Sequence, residues 1–326
     1  YALKALLDEG LEPGARIRII VGLDEENGST CIDHYVKTAE LPSAGFTPDA
    51  DFPVIYAEKG IAWYRLAAKL DKVTTSSETT ATATNSQLRL VAARAGNVTN
   101  MVPDTCTLTL MDNEGSISNE IYHGRSAHGS RPESGENAIA KAFAAIGPRL
   151  EASDSASAFV NAFNTLISDT TDGSLAGIAG KDESGSLTLN AGVLVMDEQN
   201  AALDIDIRYP VTWQLVDLEQ RLRDAFEPFG IEVSLIREQA PLHAQRDLPL
   251  VRNLMQVYAT ITGDTASQPL AIGGGTYARS MPNIVAFGPG FPGEPDNAHQ
   301  PDESISLIAF EKAARIYREA FRALLP

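Results

Sequence analysis

The stretch that most constrains this chain is Gly22-Leu23-Asp24-Glu25-Glu26-Asn27-Gly28, which follows the β-branched run Arg16-Ile17-Arg18-Ile19-Ile20-Val21. The run reads as a buried strand. Three consecutive acids at the C-terminal end of an apolar strand are costly there unless a cation or a proton lets them coexist. That end of an open α/β sheet is also where ligands bind. A solvated acidic turn is the plain alternative. Two further loops, Gly45-Phe46-Thr47-Pro48-Asp49-Ala50-Asp51-Phe52-Pro53 and Gly293-Glu294-Pro295-Asp296-Asn297-Ala298-His299-Gln300, weigh against it. Both are dense in the oxygen and nitrogen donors of a hydrolytic metal site.

Alternation of patterns divides the chain. Residues 1–57 read as helix, strand, helix and strand, and residues 247–326 return to that α/β texture. Strand–loop–helix order of this kind implies a mainly parallel sheet covered by helices. In the last helix Leu307, Phe310, Ala314, Tyr317, Phe321 and Leu324 form the expected core stripe. Between them, residues 58–246 show short alternating runs broken by helical stretches near 137–167 and 211–229, the α+β pattern of an antiparallel sheet with helices on one face. A Ser- and Thr-rich stretch over 74–86 reads equally as an edge strand or a mobile loop. The expected architecture is an α/β domain (1–57 and 247–326) interrupted by an inserted α+β domain (58–246).

A net charge of −17 argues against nucleic acid and anionic membranes as partners. Two cysteines, Cys31 and Cys106, are too few for a disulfide framework and suggest a reducing, cytoplasmic setting. Cys31 reads as packing, since no histidine and amide constellation frames it. No run approaches the ~20 apolar residues of a membrane span. Gly273-Gly274-Gly275 lacks the Gly-Lys-Ser/Thr ending of a phosphate loop.

Glu25 and Glu26 are neighbours, so their side chains diverge, and one can bind a metal while the other stays free as a base. Asp49 follows the stiff Thr47-Pro48, and His299 sits beside Asp296 and Asn297. Carboxylate and imidazole ligands suit zinc, manganese or cobalt better than calcium. Spacing alone leaves the assembly of these residues to the fold. The plain readings stay beside them: His128 as a turn histidine, Arg208 as a surface charge, Asp51 as a supporting or capping group.

The loops named above occur in one order with Ser126-Ala127-His128-Gly129-Ser130, Gly273-Gly274-Gly275-Thr276-Tyr277-Ala278-Arg279 and Pro295-Asp296-Asn297-Ala298-His299-Gln300. Together they resemble the M20 family of co-catalytic metallopeptidases over essentially the whole chain, and above all its bacterial dipeptidase branch (PepV-like and Sapep-like enzymes). The resemblance implies a metallopeptidase catalytic domain with an inserted lid, and two divalent metal ions, zinc first, with manganese or cobalt as alternatives. Glu25 would be the general base. Glu26 and His299 would ligate one metal and Asp49 the other. His128 would polarise the scissile carbonyl. Asn100, Arg208 and the amides of Gly274 and Gly275 would bind a dipeptide, with Arg208 on its C-terminal carboxylate. The enlarged lid implies a monomer.

One departure matters. The family's first metal ligand lies in a His-x-Asp motif and its bridging Asp in a later loop, and this chain has neither. Tyr1 opens inside a helical pattern, so residues ahead of it are expected to carry both. A chain beginning at Tyr1 is expected to bind metal weakly and to lack peptidase activity. The rival functions are an M20-type hydrolase of N-acyl amino acids or longer peptides, and an inactive fragment or binding protein.

Overall fold

The computed structural model describes residues 1–25, 29–70, 88–152, 154–294 and 302–325. It resolves into two compact units, Tyr1–Lys59 with Ala240–Pro326, and Gly60–Gln239. The Ser- and Thr-rich stretch falls outside the described residues.

The first unit opens with helix α1 (Ala2–Asp8), helix α2 (Thr30–Thr38) and strands β1 (Gly45–Thr47), β2 (Ala50–Asp51) and β3 (Ile55–Glu58). The second contains β4 (Gly60–Lys69), β5 (Arg89–Ala95), β6 (Thr105–Met111), β7 (Ile117–His123), α3 (Ala138–Ile146), α4 (Ser155–Leu166), β8 (Lys181–Asp182), β9 (Gly185–Ser186), β10 (Thr188–Met196), β11 (Asn200–Tyr209), α5 (Leu215–Phe226) and β12 (Glu232–Gln239). The chain then returns to the first unit with β13 (Leu242–His243), α6 (Pro249–Thr262), β14 (Leu270–Ile272), β15 (Ile284–Ala286), β16 (Pro289–Gly290) and α7 (Leu307–Leu324).

In the first unit β3 is central, because Val54, Ile55, Tyr56 and Ala57 are all fully buried, as a strand covered on both faces must be. Parallel ladders join β1 to β15 and β14 to β3, and short antiparallel ladders join β15 and β13 to β3. Helix α6 is stopped by Gly263 in the left-handed conformation. Helix α7 buries Ala309, Ala313, Ile316 and Ala320, a stripe rotated from the expected one; Leu307 and Phe310 are exposed. The small alanines let the helix approach its neighbours closely, while Tyr317 and Phe321 reach Phe46 from the flank. The run Arg16–Val21 departs from expectation too. It joins no ladder among the described residues, with Ile19 and Val21 exposed and Ile20 packed on the core. Its β-branched composition predicts an extended backbone, which needs a partner to become a strand.

The second unit is a seven-stranded antiparallel sheet, ordered β12-β4-β11-β10-β5-β6-β7, with α3, α4 and α5 packed into one continuous core. The helical stretch expected over 137–167 is two helices. Gly147-Pro148 breaks it after α3, and Asn137 and Asp154 cap α3 and α4 by accepting from the amides of Ile139 and Ala156.

Candidate active-site loops and their supports

The acidic loop of the first unit is built around the N-terminus of α2. Asp24 accepts hydrogen bonds from the Thr30 amide (2.9 Å), the Thr30 hydroxyl and the Cys31 amide (3.1 Å). The Cys31 thiol first, then the Thr30 hydroxyl and the two amides, hold its carboxyl down at about 2, so it is a fixed anion at a helix N-terminus. Asp24 is therefore committed to its helix, and Glu25 follows in a half-exposed turn. The loop leans on Tyr277 of the glycine motif. The Cys31 thiol lies 3.3 Å from the Tyr277 hydroxyl, and a Cβ on Gly22 would come within 1.9 Å of that oxygen. Burial raises the Tyr277 pKa, and Cys31 and the charges of Asp24 and Glu25 raise it further.

Asp49 sits on the exposed turn between β1 and β2. The turn is strapped to the β15–β16 connection: the Phe287 amide donates to Thr47 (2.9 Å) and the Ala50 amide to Gly288 (2.8 Å). Beneath it, Phe46 stacks on Tyr317 with centroids 5.5 Å apart. Burial raises the Tyr317 pKa, and the Asp49 charge adds to the rise.

The glycine loop rests on a buried ion pair that the sequence reading did not single out. Arg279 donates from Nε to Glu58 (3.0 Å) and from Nη2 to the carbonyls of Gly274 (2.8 Å) and Lys59 (3.2 Å). Its Nη1 reaches the Ala240 carbonyl at 3.4 Å. Thr276 adds its hydroxyl (2.7 Å) and amide (3.1 Å) to the Glu58 carboxylate. Gly275 has to be glycine, since a Cβ would stand 2.5 Å from the guanidinium. Burial pushes the Glu58 pKa up while Arg279 and Thr276 pull against it.

In the second unit the structure brings Asn100, His128 and Arg208 onto one framework. The loops carrying Asn100 and His128 are strapped together: the Gly129 amide donates to Asn100 (2.6 Å) and the Val102 amide to Ala127 (2.9 Å). His128 is exposed, and its Nδ1 accepts from the Ser130 amide (3.2 Å) with the Ser130 hydroxyl 2.7 Å away. An N–H aimed at Nδ1 requires a lone pair there, so the neutral ring carries its proton on Nε2. Arg208 is buried rather than a surface charge. It donates to Asp206 from Nε (2.9 and 3.1 Å) and Nη2 (2.7 Å).

Among the expected ligands, Glu26 and His299 lie outside the described residues. Among the described residues no group of three or more His, Cys, Asp or Glu could hold a metal ion. Tyr277, Glu58, Arg279, Asn190 and Asp206 were not foreseen. Asp206 had a readable signal: in Asp206-Ile207-Arg208 the outer residues are two apart, and on a strand they share a face.

A family model described as Peptidase family M20/M25/M40 matches residues 1–323. A Bacillus subtilis (strain 168) protein named "Putative dipeptidase YtjP" is 36% identical over 354 residues, covering 99% of this chain and 73% of that protein. A Staphylococcus aureus (strain USA300) protein, "Putative dipeptidase SAUSA300_1697", is 32% identical with the same coverage. Among solved structures, the aminoacylhistidine dipeptidase from Vibrio alginolyticus gives a TM-score of 0.53 at 14% identity, over 93% of this chain and 70% of that one. Human carnosine dipeptidase 1 gives 0.51 at 11% identity, over 99% and 69%. At those identities the likeness speaks to the fold. The family match spans nearly every described element, and with it the chain belongs to peptidase family M20/M25/M40.

Proposed function

We propose that the chain acts as a metal-dependent dipeptidase on short unblocked peptides. The observation that supports this reading is the place of Asp24: bonded to the first amides of α2 it is a structural anion, and the base role falls on Glu25, the carboxylate to which the family resemblance assigns it. Its relatives named as dipeptidases support the substrate class.

Glu26, Asp49 and His299 would hold two divalent ions, zinc first, with manganese or cobalt as alternatives. Asp49, an exposed carboxylate, fits such a role, while the fit of Glu26 and His299 lies outside the described residues. When bound, such ions supply Lewis acidity that makes water a nucleophile at neutral pH. Glu25 takes a proton from the attacking water and returns it to the leaving amine. His128, with its proton on Nε2, donates to the carbonyl oxygen as negative charge develops there. Asn100 assists on the same side. Arg208 receives the C-terminal carboxylate, a task that suits a guanidinium fork, and the amides of Gly274 and Gly275 serve that end too.

The test is Glu25→Gln assayed on a free dipeptide and on an N-acetylated amino acid, with zinc or manganese added. The expected result is turnover of the dipeptide by the wild type, and loss of about three or more orders of magnitude in the variant at unchanged metal content. Retained turnover in Glu25→Gln removes its role as base, and preference for the N-acyl substrate moves the activity to the other branch of the family.

A further inference from the structure

Two polar side chains in the second unit are buried where an antiparallel sheet ordinarily places apolar ones. Asn190 on β10 is 2% exposed and Asp206 on β11 is fully buried, and the ladder sets them directly opposite each other. Residues paired in this way present their side chains to one face, close enough to act together. Burying an amide and a carboxylate costs stability unless each is matched by partners.

Their partners are one candidate substrate-binding residue, Arg208, and the two neighbours of another, Asn100. Asn190 donates both amide hydrogens to the carbonyls on either side of Asn100, those of Thr99 and Met101, each at 2.9 Å. The peptide that presents Asn100 is thus held at both ends by one side chain. Asp206 engages Arg208 through Nε and Nη2, one edge of the guanidinium, which fixes the plane and direction of the other edge. Gly129, next to His128, fits between the two supports: a Cβ there would stand 2.7 Å from Asp206 Oδ2 and 2.9 Å from the Asn100 carbonyl oxygen. The Asn190 Oδ1 atom is buried without a hydrogen-bond partner. Its cost is set against the two carbonyls that the same side chain satisfies, which an apolar residue of that shape would leave without this donor.

We infer that Asn190 and Asp206 are positioning residues: Asp206 aims Arg208 at the substrate's C-terminal carboxylate, and Asn190 holds the Asn100 and His128 loops in register with it. This deepens the dipeptidase reading and rests on it for the identity of the substrate. It assigns specificity for a free C-terminus to a buried pair that touches no substrate.

The experiment compares alanyl-alanine with alanyl-alanine amide, measuring both turnover and calorimetric binding, in the wild type, Asp206→Asn and Asn190→Leu. Asp206→Asn is expected to weaken the free dipeptide about ten- to a hundredfold, through KM and Kd, the worth of one or two charge-assisted hydrogen bonds. The amide, which has no carboxylate to offer Arg208, is expected to change by less than about twofold. Asn190→Leu is expected to lower kcat on both substrates without altering their KM ratio. Equal weakening of both ligands by Asp206→Asn, or no weakening of either, overturns the inference. Should Asp206→Asn fail to fold, Gly129→Ala presses a methyl group on the same carboxylate and is read by the same ratio. A wild type that binds the dipeptide without hydrolysing it removes the proposed activity, and the Kd ratio still decides the positioning role. A wild type that binds dipeptide and amide equally overturns it.

Discussion

Replacing Arg279 with methionine removes the counter-charge from a carboxylate that has no water to turn to. Glu58 is fully buried and the Arg279 side chain is 5% exposed, so the pair is an interior one. Breaking such a pair by deleting one partner costs about 3–5 kcal/mol, because the remaining charge stays buried. Two Thr276 bonds to Glu58 survive, while the Gly274 and Lys59 carbonyls lose their donor. The loss is expected to depend on pH with a definite sign. The folded-state pKa of Glu58 is already raised by burial, and without Arg279 it rises further. The folded state then binds a proton more readily than the unfolded chain, whose carboxyl titrates near ~4.3. Stability of the variant therefore falls as pH climbs from about 4.3 through the raised folded value, and the damage is greatest in alkaline buffer. The second substitution Glu58→Gln removes the orphaned charge and is expected to recover part of the loss.

The assay must separate the two units, since a two-unit chain need not unfold in one step. Hydrogen exchange over residues 52–59 and 270–281 reads the site directly, with protection expected to drop by roughly two to three orders of magnitude at pH 8. Trp63 and Trp213, the chain's two tryptophans, both lie in the other unit, so their fluorescence is an internal control. Exchange within about threefold of wild type at pH 8, or a loss that grows on acidification, would refute the reasoning.

Gly22→Ala drives a methyl group against the Tyr277 hydroxyl; it is expected to cost about 1–3 kcal/mol and to speed labelling of Cys31 by a thiol reagent. Cys106 is buried, its thiol pushed up to about 12, and is expected to stay unreactive until the chain unfolds in either protein. A Cys31 labelling rate unchanged by the substitution would disconnect the thiol from the ring. Asp24→Ala is expected to destabilise α2 above pH ~4 and to change little near pH 2. A carboxyl held down in the folded state contributes above its unfolded pKa and loses that contribution as pH falls toward about 2. A helix melt equally shifted at both pH values would contradict that assignment.

Local patterns were legible where the physics is local. Helix α6 ends at Gly263, a residue at ease in the left-handed conformation there. The α/β texture and the loops that carry Glu25, Asp49 and His128 were readable for the same reason. Glu58 and Arg279 were not, being 221 residues apart, with nothing in either neighbourhood naming the other. Arg16–Val21 misled because β-branched residues state a backbone preference without a pairing partner. The stripe of α7 was misread because large apolar residues were weighed above alanines, whose small size permits the closest helix contacts.

Strands β4 and β12 stand side by side, with Ile61 opposite Gln239. Once they zip, the chain's exit at 60 and its return at 239 are neighbours, and the outer segments behave as though joined by a short hairpin. An unstructured connection spanning residues 60 to 239 would charge the first unit roughly 4–5 kcal/mol in closure entropy. Folding of the inserted unit removes most of that toll in advance. The stability of the first unit is thereby tied to that of the insertion: with β4 and β12 paired, the two halves of β3's sheet meet as if they were adjacent in the sequence.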